Sequence, residues 1–112
     1  MIDARFVLEA YAERHNAGVR SRDFAPLLEI LADDAVFEFT QPALHLDGKP
    51  AIAKAFAQRP PSDELVLSSI QGRDHEHASA DYAWRTQPHE RAGTIELTLS
   101  GAHIVRLVVR AA

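Results

Sequence analysis

Cysteine is absent from the 112 residues, which excludes a disulfide framework, a thiolate nucleophile and a thiolate metal site, and agrees with a reducing compartment. Basic residues are outnumbered: 12 Lys and Arg against 16 Asp and Glu leave a net charge of −4 and a pI near 5.8. Phosphate backbones call for clustered cations, so nucleic acid is excluded as a partner. No apolar run approaches the ~20 residues of a membrane span, so no membrane partner is expected. The opening Met1-Ile2-Asp3-Ala4-Arg5 lacks the uninterrupted apolar core of a signal peptide. A cytoplasmic location is the expectation. The five glycines form no Gly-rich phosphate loop, P-loop or G-x-S-x-G elbow. Nucleotide hydrolysis and serine hydrolase chemistry have no support, and no cofactor is expected.

What is present reads as one folded domain spanning residues 1–112. Hydrophobic residues make up 46% and charged residues 25%, close to soluble globular proteins. A chain this short buries roughly two thirds of its unfolded surface. A pocket in its core must be offset by good packing or by dimerisation.

Along the chain, Phe6, Val7, Ala10 and Tyr11 recur at helical spacing from Asp3 to about Ala17, and Asn16-Ala17-Gly18 reads as the helix end. Ser21 or Asp23 can cap a second, shorter helix with Pro26 in its first turn. Its buried stripe is Phe24, Leu27, Leu28 and Leu31, and Asp33-Asp34 breaks the pattern. Val36 to Thr40 is β-branched and aromatic, so a strand is predicted with Phe37 and Phe39 on one face. Residues 41–48 read as loop. Pro50 then opens a helix carrying Ile52, Ala55 and Phe56, which Pro60-Pro61 stops. Four β-prone runs follow, at about 64–71, 77–86, 92–100 and 103–110, separated by turn residues. Three helices must therefore cover one face of a curved antiparallel sheet, an α+β architecture.

Two stretches carry a family resemblance. Leu31-Ala32-Asp33-Asp34-Ala35-Val36-Phe37-Glu38-Phe39 is similar to the entry into the first strand of the NTF2-like superfamily. The run Asp47-Gly48-Lys49-Pro50-Ala51-Ile52-Ala53-Lys54-Ala55-Phe56 is similar to a helix of the same family. With the meander that follows, the sequence resembles the SnoaL-like and ketosteroid isomerase-like members over nearly its whole length. The resemblance implies a cone-shaped fold with a ligand hollow between helices and concave sheet, holding a small apolar or carbonyl-bearing molecule. A homodimer through the convex sheet face is expected. The chain stops directly after its last strand, so the cone is expected either to lie open or to be covered by a partner subunit.

Ketosteroid isomerase needs a carboxylate base, plus a Tyr and a protonated Asp at the oxyanion. By resemblance, Tyr11 falls on the oxyanion tyrosine. The base position falls on Phe39 and the second acid on Ile95, with Glu38 and Glu96 one residue out of phase on the opposite face. True isomerase activity is therefore not expected.

Tyr11 and His15 are four apart and share a helix face. They either look into the hollow as a catalytic pair, or serve as core and rim. For 79–86 two strand phases are open. Asp81 and Arg85 can face inward to orient a carbonyl or carboxylate, Asp81 being a possible base, or Tyr82 and Trp84 can line an aromatic hollow. Phe37, Phe39, Ile95, Leu97 and Leu107 are the expected apolar lining. Asp74-His75-Glu76-His77 has metal-ligand residue types but sits at a turn with no third ligand implied, so no metal is expected. Whether the site turns over a substrate or only binds one stays open at this point.

Overall fold

The structure is a computed structural model that describes residues 2–41 and 43–112. Its first element, α1 (Ala4–Ser21), is capped by Asp3, whose Oδ1 accepts the Arg5 N–H at 3.0 Å. The buried stripe is Ala4, Val7, Leu8, Tyr11, Ala12, His15 and Gly18. Phe6 is 70% exposed, so the apolar face lies about one residue further round than the Phe6/Val7/Ala10/Tyr11 spacing suggests.

The helix also runs a turn past the expected stop at Asn16-Ala17-Gly18. Gly18 is a close-packing residue: a Cβ there would sit 2.4 Å from Cδ1 of Phe24. The turn is made instead by Arg22, in the left-handed region at φ 60°, whose N–H bonds the Gly18 carbonyl at 2.7 Å.

The second helix, α2 (Ala25–Leu28), is a single turn entered by Asp23, whose Oδ1 accepts the Ala25 N–H at 3.0 Å. Leu31, expected in its stripe, already belongs to the sheet. Strand β1 (Leu31–Thr40) runs straight through Asp33-Asp34, and its register against β6 shifts between Leu31 and Val36.

Residues 41–48 are not a loop. Ala43–Asp47 forms strand β2, paired antiparallel to β1; Pro42 lies outside the described residues. The strand is short and sits at the sheet edge with Leu44 45% exposed, so its alternation is too brief to stand out. Gly48 follows at φ 97°, a backbone region that residues with a Cβ avoid. There its N–H reaches the Ala35 carbonyl at 2.8 Å and opens α3 (Lys49–Gln58) with Pro50 in the first turn.

Four strands complete the chain: β3 (Leu65–Gly72), β4 (His77–Trp84), β5 (Gln87–Ser100) and β6 (His103–Ala111). They form one open six-stranded sheet in the order β2-β1-β6-β5-β4-β3. The β1–β6 pair is parallel and every other pair antiparallel. Irregularities in β3–β4, β4–β5 and β5–β6 add local twist and curl the sheet. Helix α1 packs across β3, β4 and β5, and α3 across β1 and β2. Between them, Phe37, Leu97, Leu99, Ile104 and Leu107 are buried to 2% exposure or less. Phe37 is the hub, with its ring against those of Tyr11, Phe39 and Phe56 at centroid distances of 6.1–6.4 Å.

Candidate functional site

Strand phase decides which side chains reach the hollow beneath the helices. In β1, buried Leu31, Ala35 and Phe37 face inward and Glu38 faces out. Glu38 Oε1 is 3.0 Å from Arg106 Nη2 and 4.0 Å from His45 Nδ1 on that outer surface. In β5, Ile95, Leu97 and Leu99 are buried, while Glu96 pairs with Arg110 outside. Neither glutamate enters the hollow.

The 79–86 phase is also fixed. Ala78, Ala80 and Tyr82 are buried, and Tyr82 and Trp84 meet edge to face at 5.6 Å. Asp81 lies on the outer face, 3.3 Å from Arg91 Nε, in a shallow polar crevice with Ser79, Thr94 and Glu96. Arg85 is exposed and its Nε is 3.5 Å from Glu64 Oε1. The inward Asp81/Arg85 pair therefore does not form: the pleat sends Asp81 out, and the register shift after Tyr82 takes Arg85 away from it.

What remains inside is a cavity of about 150 Å³ between α1 and the concave sheet. Tyr11 and His15 supply its helix side; Tyr82, Trp84, Ile95 and Val109 its floor; Phe39, Thr40 and Gln41 one end. No Asp, Glu, Lys or Arg lines it among the described residues. Leu97 and Leu107, expected in the lining, are packed beneath it as solid core at 1% and 0% exposure. Phe37 faces a second cleft of about 450 Å³ between α3 and β2, with Leu44, Leu46, Phe56 and Arg59. Among the described residues, Phe39 is the one on the walls of both spaces.

Tyr11 and His15 stand one helical turn apart with ring centroids 6.2 Å apart. Burial raises the Tyr11 pKa above its ordinary value, so the side chain stays a phenol across the physiological range. Burial lowers the His15 pKa, against smaller opposing effects of the Asn16 hydrogen bond and the Glu64 charge. His15 Nδ1 lies 3.1 Å from Asn16 Oδ1.

No hydrogen bond among the described residues involves the Tyr11 hydroxyl or His15 Nε2. No fully enclosed side-chain N or O lacks a partner there either. Both side chains line the cavity. The group that sequence reasoning missed is Asn16, read there as part of a helix stop. Its carboxamide joins α1 to β3 through Leu65, an interaction across 49 residues that no local spacing signals.

Asp74 and His77 pair at 2.8 Å on an exposed turn, and no group of three or more metal-ligating side chains occurs among the described residues. Among the described residues, no helix is long and apolar enough to cross a membrane.

No protein-family model matches the sequence, and no curated protein does. Solved structures do. An NTF2-like protein of unknown function from Cytophaga hutchinsonii aligns over 100% of this chain and 92% of its own, with a TM-score of 0.76 at 13% identity. The chain has the NTF2-like cone fold. A proposed polyketide cyclase from Pseudomonas putida aligns over 97% of this chain and 91% of its own, with a TM-score of 0.72 at 17% identity. A protein of ketosteroid isomerase-like fold from Catenulispora acidiphila, in complex with trimethylamine, aligns over 88% and 82%, with a TM-score of 0.68 at 12% identity. In the NTF2-like cone of this chain, the pleat puts Phe39 and Ile95 inside and their acidic neighbours outside.

Proposed function

We propose that the protein binds one small, neutral, mainly apolar molecule in the cone cavity, oriented by Tyr11 and His15. The observation that carries this reading is the pairing of an apolar chamber with two polar atoms that have no partner among the described residues. A cavity near 150 Å³ is the size that, in an engineered protein interior, holds a benzene-sized molecule, ~150 Å³. A steroid-sized ligand calls for roughly 300–1,000 Å³. It fits only if Phe39 moves and the α3–β2 cleft joins the chamber. The Catenulispora protein of the same fold takes a small molecule, trimethylamine, which favours a compact ligand.

The lining also bears on chemistry. With Glu38, Glu96 and Asp81 all outside, His15 is the one group in the chamber suited to accept a proton near neutral pH, and Tyr11 serves as a donor. This favours ligand binding, or a proton transfer that needs a single weak base, over steroid isomerisation. The outer face, with its exposed Arg106–Glu38 and Arg110–Glu96 pairs, is the surface we assign to a second copy of the chain, and the cytoplasm is the proposed location.

The test is extraction of the protein purified under native conditions, with mass spectrometry of what is released. A neutral one-ring compound at near-stoichiometric yield, lost from a Tyr11→Phe/His15→Leu variant that still folds, supports the reading. Retention of the same compound by that variant refutes it.

A further inference from the structure

We infer that Asn16 fixes the tautomer of His15, so that Nε2 meets the cavity as a hydrogen-bond acceptor and the site selects neutral ligands carrying an O–H or N–H donor. The second half rests on the ligand-binding reading above; the first does not.

The Asn16 carboxamide is held at both ends by Leu65. Its Nδ2 donates to the Leu65 carbonyl at 2.8 Å, and its Oδ1 accepts the Leu65 N–H at 2.7 Å. Both backbone partners have fixed polarity. Turning the amide over would set nitrogen against N–H and oxygen against carbonyl, so its orientation is determined by the sheet edge it bridges.

That orientation has a consequence for the imidazole. Oδ1 has no proton to give and a second lone pair to offer, and it lies 3.1 Å from His15 Nδ1. The contact is a hydrogen bond only if Nδ1 carries the proton. A neutral imidazole has one N–H, so Nε2 is left with its lone pair. His15 is 4% exposed, and desolvation acts against the doubly protonated form. The Phe24 ring, 6.3 Å away at its centroid, covers another side of the imidazole. Nε2 is thus presented to the chamber as an acceptor.

This sets what the chamber accepts. A ligand hydroxyl can donate to His15 Nε2 while taking a hydrogen bond from the Tyr11 hydroxyl. A ligand with acceptors alone satisfies Tyr11 but sets lone pair against lone pair at His15. Leaving a buried acceptor unpaired costs about 1–3 kcal/mol. An ionised ligand finds no counter-charge in the lining, so charged forms are disfavoured by desolvation.

Two measurements test this. The first is the long-range nitrogen–proton NMR spectrum of the His15 ring, which distinguishes the two neutral tautomers without any ligand. The wild-type chain should show the Nδ1–H form. Asn16→Asp, which keeps the acceptor but loses the donor to Leu65, should keep that form. Asn16→Ala, which loses both, should not. A plain structural role moves both variants alike. An Nε2–H tautomer in the wild type overturns the assignment even if neither variant folds.

The second measurement compares phenol with fluorobenzene, of similar size but lacking a donor, by calorimetric titration. Phenol should bind at least tenfold more tightly. Equal affinities overturn the donor selection. If neither saturates, the ligand-binding reading falls and donor selection with it, while the spectrum alone still decides the role of Asn16.

Discussion

Replacing Phe39 with alanine is the perturbation that most sharply separates a ligand chamber from an imperfectly packed core. Among the described residues, the ring is the sole wall shared by the ~150 Å³ cavity and the ~450 Å³ α3–β2 cleft. Removing it joins the two into a hollow in the roughly 300–1,000 Å³ range of drug-sized sites.

A fully buried Phe→Ala substitution costs about 3–5 kcal/mol, much of it the new cavity. Phe39 is half-buried and already bordered by empty space, so the cavity contribution is small and a cost of about 2 kcal/mol follows. For a domain near 100 residues, that lowers Tm by about 8–16 °C. Urea unfolding gives the stability change, and titration with a two-ring hydroxyarene such as 1-naphthol gives the binding change. The wild type should exclude 1-naphthol and the variant should admit it. A loss above about 4 kcal/mol with no gain in ligand size refutes the partition, because it would mean Phe39 is sealed into solid core.

Three further outcomes follow from the same geometry. Gly18→Ala gains about 1 kcal/mol of helix propensity but drives a Cβ to 2.4 Å from the Phe24 ring, which is stacked on Phe56 at 5.0 Å. Overpacking costs about 1–3 kcal/mol, so urea denaturation should show a net loss rather than the gain an exposed helix would give. Tyr11→Phe removes a hydroxyl with no partner among the described residues, so Tm should stay within about 2 °C while phenol affinity falls severalfold. A large Tm drop would mean the hydroxyl is part of the core.

The third concerns pH. Burial holds the folded His15 pKa below 6.5, so between that folded value and 6.5 the unfolded chain binds a proton the native chain does not. The contribution of His15 to stability is complete above about pH 6.5 and is lost as pH falls toward the folded pKa, with a slope of at most about 1.4 kcal/mol per pH unit. The difference in denaturation free energy between wild type and His15→Gln should show this slope. An opposite slope contradicts the neutral, buried imidazole.

Much of the cone was readable because its signals are local. The 36–40 alternation puts Phe37 inside and Glu38 outside, as found, because a strand with one buried face has little freedom of register. Strands β3, β4 and β6 begin within about one residue of the expected places, whereas β5 begins at Gln87, inside the stretch expected to be a turn before 92. The site was less readable because its remaining determinants are non-local. Whether Tyr82 or Asp81 looks inward depends on how β4 pairs with β3 and β5, which the alternation alone leaves open. Strand β2 is an edge of five residues with its apolar side partly exposed. Gly18 resembles a stop because only the fold brings Phe24 against it. Asn16 acquires its role from Leu65, on the far side of four other elements.

The central claim is a genuine apolar space between α1 and the concave sheet, onto which Tyr11 and His15 open. Crystals exposed to xenon under pressure test it most directly, since xenon settles in dry apolar cavities. The account predicts a xenon peak in van der Waals contact with Tyr11, Tyr82 and Ile95. Trp84 or Phe39 folded into that position, with no xenon between helix and sheet, would contradict it.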